Sequence, residues 1–484
     1  MRAFDRTGNP IDIAKAIAIL QQAVQLTPKD HAHLPGLLSN LGNSFLRRFQ
    51  HTGGLSDLSE AISAHQQAVR LSRNGHTYMP SFLGNLGNSL GCRFEHTGEI
   101  SDLSESISAH QQAVQITPNG DPKMPGFLSN LGKSLCLRFE REGDLSDLSE
   151  AISAGQRAIQ LTPNGHPEML IFLKNIGTSF LYRFRSTGDP SDLSEAISAH
   201  RRAVYLTHDG RPDMPIILAG LGSSLLSRFQ HMGDLSDISE AISAYRRAIQ
   251  LAPNDHPAMR GVLNNLGTSF RARFEHTGDF SDLSEAISAE QHCIQLTPND
   301  HPYMPLFLNS LGISFQARFK YTDDLLDLSE AISTYQRAIR LTPNGHPNLP
   351  GWLANLGNAF SCRFQRLGSP SDNHTAIDLF QKSATSLGAP SVRLTSAKHW
   401  AQLATIHNHP AATRAHAVVI DLVSQVVGMG RTIEQRHTDL VNISNLTTAA
   451  ASAAFARDET EKALEWLEQG RCLVWNQLNQ LRTK

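Results

Sequence analysis

An aliphatic residue followed by glycine returns every 45 positions along this chain: Leu41-Gly42, Leu86-Gly87, Leu131-Gly132, Ile176-Gly177, Leu221-Gly222, Leu266-Gly267, Leu311-Gly312 and Leu356-Gly357. No insertion or deletion interrupts the spacing. An active site is built once, whereas a unit copied at constant length must meet its neighbours in the same way each time. The stretch SDLSEAIS keeps the same register, at 56–63, 146–153, 191–198 and 281–288, with one-letter variants at 101, 236 and 326.

Each unit holds two helical patterns. Leu38, Leu41, Phe45 and Phe49 recur at spacings of three and four, which places them on one stripe. Gly53 then supplies a helix stop. Leu58, Ala61, Ile62, Ala68 and Val69 make the second stripe. Asp57, with Glu60 three residues later, reads as a capping box in which Asp57 is the N-cap. A Pro/Gly/Asn loop, LTPNGHP in its commonest form, ends the second helix and starts the next unit. Nothing alternates with a strand period, so the expected fold is all-α, a stack of antiparallel helix hairpins.

Leu41-Gly42, Phe45, Ala61, Ala68 and a proline five residues after the second alanine (Pro118 after Ala113, Pro163 after Ala158) resemble the tetratricopeptide pattern. The unit departs from the family's 34-residue length by a longer hairpin and a longer connecting loop. The resemblance covers roughly residues 9–387 and implies a right-handed superhelical solenoid whose concave face is lined mainly by the first helix of each repeat. On that basis residues 1–27 form a partial N-terminal repeat, and 28–387 form eight repeats. Residues 388–484 form degenerate helical hairpins ending in a linker-like helix. The 45-residue period is also similar to the repeat region of fungal proteins that carry a CHAT (caspase-like) domain. ALEWLEQGRCLVWNQLNQLR, at 463–482, looks like the segment leading into that domain. This supports an alternative reading as the regulatory arm of such a protease.

Composition narrows the partners. The net charge is -2 with 18% charged residues, so no strong field singles out nucleic acid or an anionic membrane. The N-terminus lacks a signal-like apolar stretch, and no run of about 18 apolar residues could span a bilayer. Cys92, Cys136, Cys293, Cys362 and Cys472 include no C-x-x-C pair and read as reduced thiols of a cytoplasmic protein. The sequons at Asn373, Asn442 and Asn445 are accordingly read as accidental. The expected partner is a protein or peptide, with neither nucleic acid nor membrane. Trp466, Leu467, Leu473, Val474 and Trp475 crowd the last helical stripe and suggest association through the terminal helices.

Candidate chemistry is sparse. LGKS at 131–134 lacks the upstream glycine of a phosphate-binding loop, since Phe127 stands there, and it lies inside a helical pattern. Six histidines share one loop register: His31, His76, His166, His256, His301 and His346. One per hairpin layer, they stand about 8–10 Å or more apart and cannot converge on one metal ion. His407 and His409 have no third ligand nearby. No H-E-x-x-H or G-x-S-x-G occurs. No cofactor, no metal and no catalytic residue is expected.

Two ladders run through the array. Arg48, Arg93, Arg138, Arg183, Arg228, Arg273, Arg318 and Arg363 fill one register. On a helical wheel Arg48 lies about 20° from Leu41, within the apolar stripe, so its guanidinium needs a partner. Asp57 and its counterparts recur in every one of these repeats, whereas Glu60 is replaced by Thr375 in the last. A structural Arg–Asp pair is therefore expected. The second ladder is Asn40, Asn85, Asn130, Asn175, Asn265 and Asn355, interrupted by Gly220 and Ser310, with Asn43, Asn88 and Asn358 one turn further on. Asn40 and Asn43 fall about 100° and 160° from Leu41, off the core. An amide both donates and accepts, which suits a peptide backbone, and in similar repeat proteins asparagines on this face hold the bound peptide. The resulting reading is a non-enzymatic interaction scaffold.

Overall fold

The computed structural model describes residues 10–72, 76–163, 165–207, 211–253, 256, 258–426 and 445–482. Among them there are helices and short connections but no strand. The chain divides into two compact units, 1–262 and 263–484. The first opens with α1 (Pro10–Leu26), followed by the hairpins α2/α3 (Leu34–Thr52, Leu55–Leu71), α4/α5 (Met79–Thr97, Ile100–Ile116), α6/α7 (Met124–Glu142, Leu145–Leu161), α8/α9 (Met169–Thr187, Pro190–Leu206) and α10/α11 (Met214–Met232, Leu235–Leu251). Next come α12 (Met259–Thr277) and α13 (Phe280–Gln295). The second unit continues with α14/α15 (Met304–Thr322, Leu325–Arg340), α16/α17 (Leu349–Leu367, Pro370–Thr385) and α18/α19 (Pro390–Ile406, Ala412–Val426). It ends in α20 (445–455) and α21 (Thr460–Arg482).

Local chemistry sets each boundary. Most first helices have proline in the first turn, as at Pro35 and Pro125, where no backbone donor is needed. It ends on a left-handed residue: Gly53, at φ 74°, donates its N–H to Phe49 O at 2.7 Å. Asp323 takes this position at φ 59°, a conformation that Asp tolerates better than most side chains. With only Gly53 and Gly54 between α2 and α3, the two helices must pack antiparallel.

The capping box is placed differently from the sequence reading. The second helix begins at Leu55, two residues before Asp57, and the capping side chains are Asp144, Asp189, Asp234, Asp279 and Asp324. Each accepts the N–H two residues on. Asp57 lies inside the first turn because a stronger partner claims it: Arg48 on the facing helix donates from Nε to Oδ2 at 2.7 Å and from Nη2 to Oδ1 at 2.5 Å. All eight arginines of this register hold their aspartates in this two-pronged way. The aspartates are only 1% to 8% exposed. The pair staples the end of one helix to the start of the next.

The loop histidines have a local role. Through Nδ1, each of the six accepts the backbone N–H two residues on, at 3.1–3.2 Å. Asp121 occupies the same register and does so with a carboxylate oxygen, at 2.8 Å. An acceptor here turns the chain into the next helix, and Arg211, in the same register, pairs with Asp213 instead. Among the described residues, no group of three potential metal ligands comes together. No described helix is long and apolar enough to cross a membrane.

The core is layered within each unit. Phe49, Leu58 and Ile62 of one hairpin close on Leu90 of the next. At the far end, Trp400 is fully buried among Ala376, Phe380 and Val419. Trp466 is 3% exposed against Ile420, Ala450 and Ala454, whereas Leu467 and Trp475 are exposed. The side chains of Leu473 and Val474, like Asn442, lie outside the described residues.

Candidate binding face

Within each unit, consecutive first helices touch directly, α2 with α4 through α8 with α10, then α14 with α16 and α16 with α18. The asparagine ladder stands on this shared face, and the structure divides it in two. Asn85 donates to Ser39 Oγ at 3.0 Å, Asn175 to Ser129 Oγ at 2.9 Å, and Asn355 to Asn309 Oδ1 at 2.9 Å. Each of these amides ties its helix to the previous first helix. Asn130 meets Gly84 at the corresponding place, a residue with no side chain to bond. Asn265 is half-buried. Asn40 and Asn88 are exposed, while Asn43 and Asn358 are half-buried.

Two cavities open onto the asparagines. In the first unit a groove of about 970 Å³ lies between α1 and α2, where Asn40, Asn43, Arg47 and Gln50 stand beside Ile19, Leu20 and Leu46. In the second a cavity of about 520 Å³ gathers Asn309, Asn355 and Asn358 with Leu306, Trp352 and Val392. Between Asn88 and Asn175 the same face turns ionic. Lys133 pairs with Glu95 at 2.8 Å, and Tyr182 donates to Glu140. Arg185 donates to Ser227 at 3.2 and 3.3 Å. Burial, with repulsion from Lys133 added, lowers the Lys174 pKa, and burial raises that of Glu140. Cys92 and Cys136 flank this zone, and burial pushes both thiols up to about 11, far from the thiolate a nucleophile needs.

Sequence reasoning missed a third ladder, on the second helices. His65, His110 and His200 are at most 1% exposed and press against the glycines of the 45-residue ruler. A Cβ on Gly42 would sit 2.5 Å from His65 Nε2. Tyr245, Glu290, Tyr335 and Phe380 cover Gly222, Gly267, Gly312 and Gly357 in the same way. His65 Nδ1 meets Ser89 Oγ at 3.0 Å, and His200 Nδ1 meets Ser224 Oγ at 2.9 Å. Burial drives all three imidazoles down to about 4, so they are neutral. Glu290 keeps an ionic partner instead: Arg271 Nη1 donates to its Oε1 at 3.0 Å and to Ser314 Oγ at 2.9 Å. A signal was available, since a large ring or acid follows the ruler glycine by 23 residues in all but one repeat, where Gly155 stands instead.

No family model and no curated protein matches the chain. Solved helical-repeat structures do. A human IFIT1 dimer with m7Gppp-AAAA is similar over 96% of this chain and 94% of its own, at 13% identity and a TM-score of 0.48. The C-terminal part of a TPR repeat-containing protein from Cytophaga hutchinsonii covers 64% of this chain and 98% of its own, at 15% identity and a TM-score of 0.35. Pseudomonas aeruginosa pilF covers 58% and 100%, at 14% identity and a TM-score of 0.36. These structures correct one expectation, the exclusion of nucleic acid. Human IFIT1 was also solved with PPP-AAAA, and with neighbours that carry RNA the exclusion of nucleic acid does not stand. The exclusion rested on net charge, which averages the whole surface and does not describe a single local site.

Proposed function

We propose that the chain is a binding scaffold, not an enzyme, and that the face made by its first helices holds an extended peptide segment of a partner protein. The observation that carries this reading is the α1/α2 groove, where the amides of Asn40, Asn43 and Gln50 stand over Ile19, Leu20 and Leu46. Amides offer paired donors and acceptors to a backbone, and the aliphatic floor takes side chains regardless of sequence. Asn88 and Asn130 extend the row of amides that make no bond to the neighbouring first helix. Asn85, Asn175 and Asn355 have a second task in holding consecutive helices together. Replacing them would therefore test the fold as much as the ligand.

A sharper test replaces Asn40 and Asn43 by alanine. A peptide selected from a displayed library on the whole chain is titrated by fluorescence anisotropy, with an AAAA oligonucleotide carrying a 5′-triphosphate as competitor. Each lost bond costs about 0.5–1.5 kcal/mol, so the double variant should bind about fivefold to a hundredfold more weakly at an unchanged melting temperature. Equal affinity in the variant would remove the asparagines from the site. Displacement of the peptide by the oligonucleotide, with tighter binding of the latter, would replace a peptide by nucleic acid as the occupant.

A further inference from the structure

The connection after α17 is four residues long, 386–389, whereas the one after α15 spans eight, 341–348. Earlier copies carry leucine or isoleucine at the register of Ser386, from Leu71 through Leu341. Those side chains are a little under half exposed (Leu71 42%, Leu161 45%, Leu341 41%), so the greater part of each lies against its own repeat. At Ser386 that cover is gone and the loop beyond it is shortened. One helix away Leu349 is half-buried, as is its counterpart Met79, whereas Leu34, Met124, Met169, Met214, Met259 and Met304 are 4% exposed or less.

What opens is a groove of about 520 Å³ between α15, α16 and α17, floored by Ile339, Leu349, Leu353 and Leu356 and flanked by Arg340 and Lys382. Both cations are exposed. Among the described residues neither forms an ion pair. The groove shares no lining residue with either cavity of the first-helix face.

We propose that this groove binds a compact amphipathic carboxylate, with an apolar chain or ring on the leucines and its anionic end between Arg340 and Lys382. The volume falls within the range of about 300–1,000 Å³ that small-molecule sites occupy. Exposed ion pairs contribute little by themselves. Affinity therefore comes from covering the apolar floor, and the cations select the end group, with the guanidinium fork of Arg340 suited to both carboxylate oxygens. No other repeat combines the missing leucine with this loop, so one site per chain is expected.

Isothermal titration of the full chain with decanoate, and with decanol as the uncharged control, tests the assignment. Decanoate should bind at sub-millimolar concentration with a stoichiometry of one, and more tightly than decanol. Ser386→Leu restores the residue that earlier copies carry, and it should weaken both probes at least about tenfold while the protein melts no lower. The double variant Arg340→Gln/Lys382→Gln should weaken decanoate by a smaller factor, about two- to fivefold, and leave decanol unchanged. Absence of decanoate binding, a stoichiometry well above one, equal binding of the two probes, or undiminished binding by Ser386→Leu would each overturn the proposal.

Discussion

Lowering the pH from 7 to 5 should open the first unit well before the second. His65, His110 and His200 all lie in residues 1–262, and burial holds their folded pKa values at about 4. The unfolded chain protonates them near 6.5. A folded pKa below the unfolded one means that the unfolded state takes up protons the folded state cannot. The stability these residues contribute is complete above about 6.5 and is lost as the pH falls towards 4. Between pH 7 and pH 5 the loss is about 2 kcal/mol for each histidine, or roughly 5 kcal/mol for three, which rivals the whole stability of an ordinary domain, about 5–15 kcal/mol. The neighbours do not reverse the sign. Burial outweighs the raising backbone contacts of Ser39 with His65 and Lys174 with His200, and the charges of Lys133 and Lys174 lower the pKa further. In the second unit the same register holds Glu290, Tyr335 and Phe380. Glu290, its pKa raised by burial, stabilises that unit as the pH falls and offsets His399 and His416, whose pKa values burial lowers. Hydrogen exchange corrected for intrinsic rates, at pH 7, 6 and 5, should show α3, α5 and α9 losing protection while α15 and α17 keep it. A triple variant, His65→Phe, His110→Phe and His200→Phe, copies the packing of Phe380 on Gly357 and should flatten the pH dependence. If the triple variant keeps the wild-type slope, or if the second unit opens first, the imidazoles are not the cause.

Three further outcomes follow from the packing. Arg228→Ala leaves the Asp237 carboxylate, 3% exposed, without its partner; a loss of about 1–3 kcal/mol is expected in urea melts, with Arg228→Lys intermediate because one prong is lost. Gly42→Ala should destabilise by about 1–3 kcal/mol through overlap with His65, whereas Gly36→Ala, with nothing within 4 Å of the added carbon, should be neutral or stabilising in the same thermal melts. Ellman's reagent at pH 8 should modify the exposed Cys472 first and Cys92 and Cys136 slowly, because burial raises the latter two to about 11; fast labelling of Cys136 would show that the first-helix face opens in solution.

The hairpins were legible because one error-free period repeats the same decisions eight times. Gly53 and its counterparts announce a left-handed stop, and the stripes through Leu41 and Leu58 leave no room for a strand. The Arg48–Asp57 pair was legible too, since a guanidinium on an apolar stripe calls for a carboxylate and only the aspartate persists in every copy. The cap was misplaced because a carboxylate in a first turn can serve either a backbone amide or a facing cation, and a one-dimensional pattern does not say which is nearer. The asparagines were read as one set because their register is one. Their environments differ through the residue one repeat earlier, Ser39, Gly84, Ser129 or Asn309, which only the packing of consecutive first helices brings opposite them.

Near-identity between copies carries the scaffold, and the departures from it carry whatever is particular to this protein. The arginine, the aspartate and the ruler glycine are kept in every repeat because each solves a problem that recurs with every hairpin. The residue lying on that glycine is free to change, and several of them find a polar partner: His65 at Ser89 Oγ, Glu290 at Arg271, and Tyr335 at Gln316 at 3.0 Å. Gly155 is the limiting case, leaving its space to Ile176, whose side chain would stand 3.2 Å from an added carbon. Ser386 has no such compensation. It replaces an apolar cover by a hydroxyl that bonds its own helix at Lys382 O, and Leu349 beneath stays only half-buried. A repeat that loses an apolar contact without regaining it elsewhere gives up stability, and a ligand that covers that leucine would restore it.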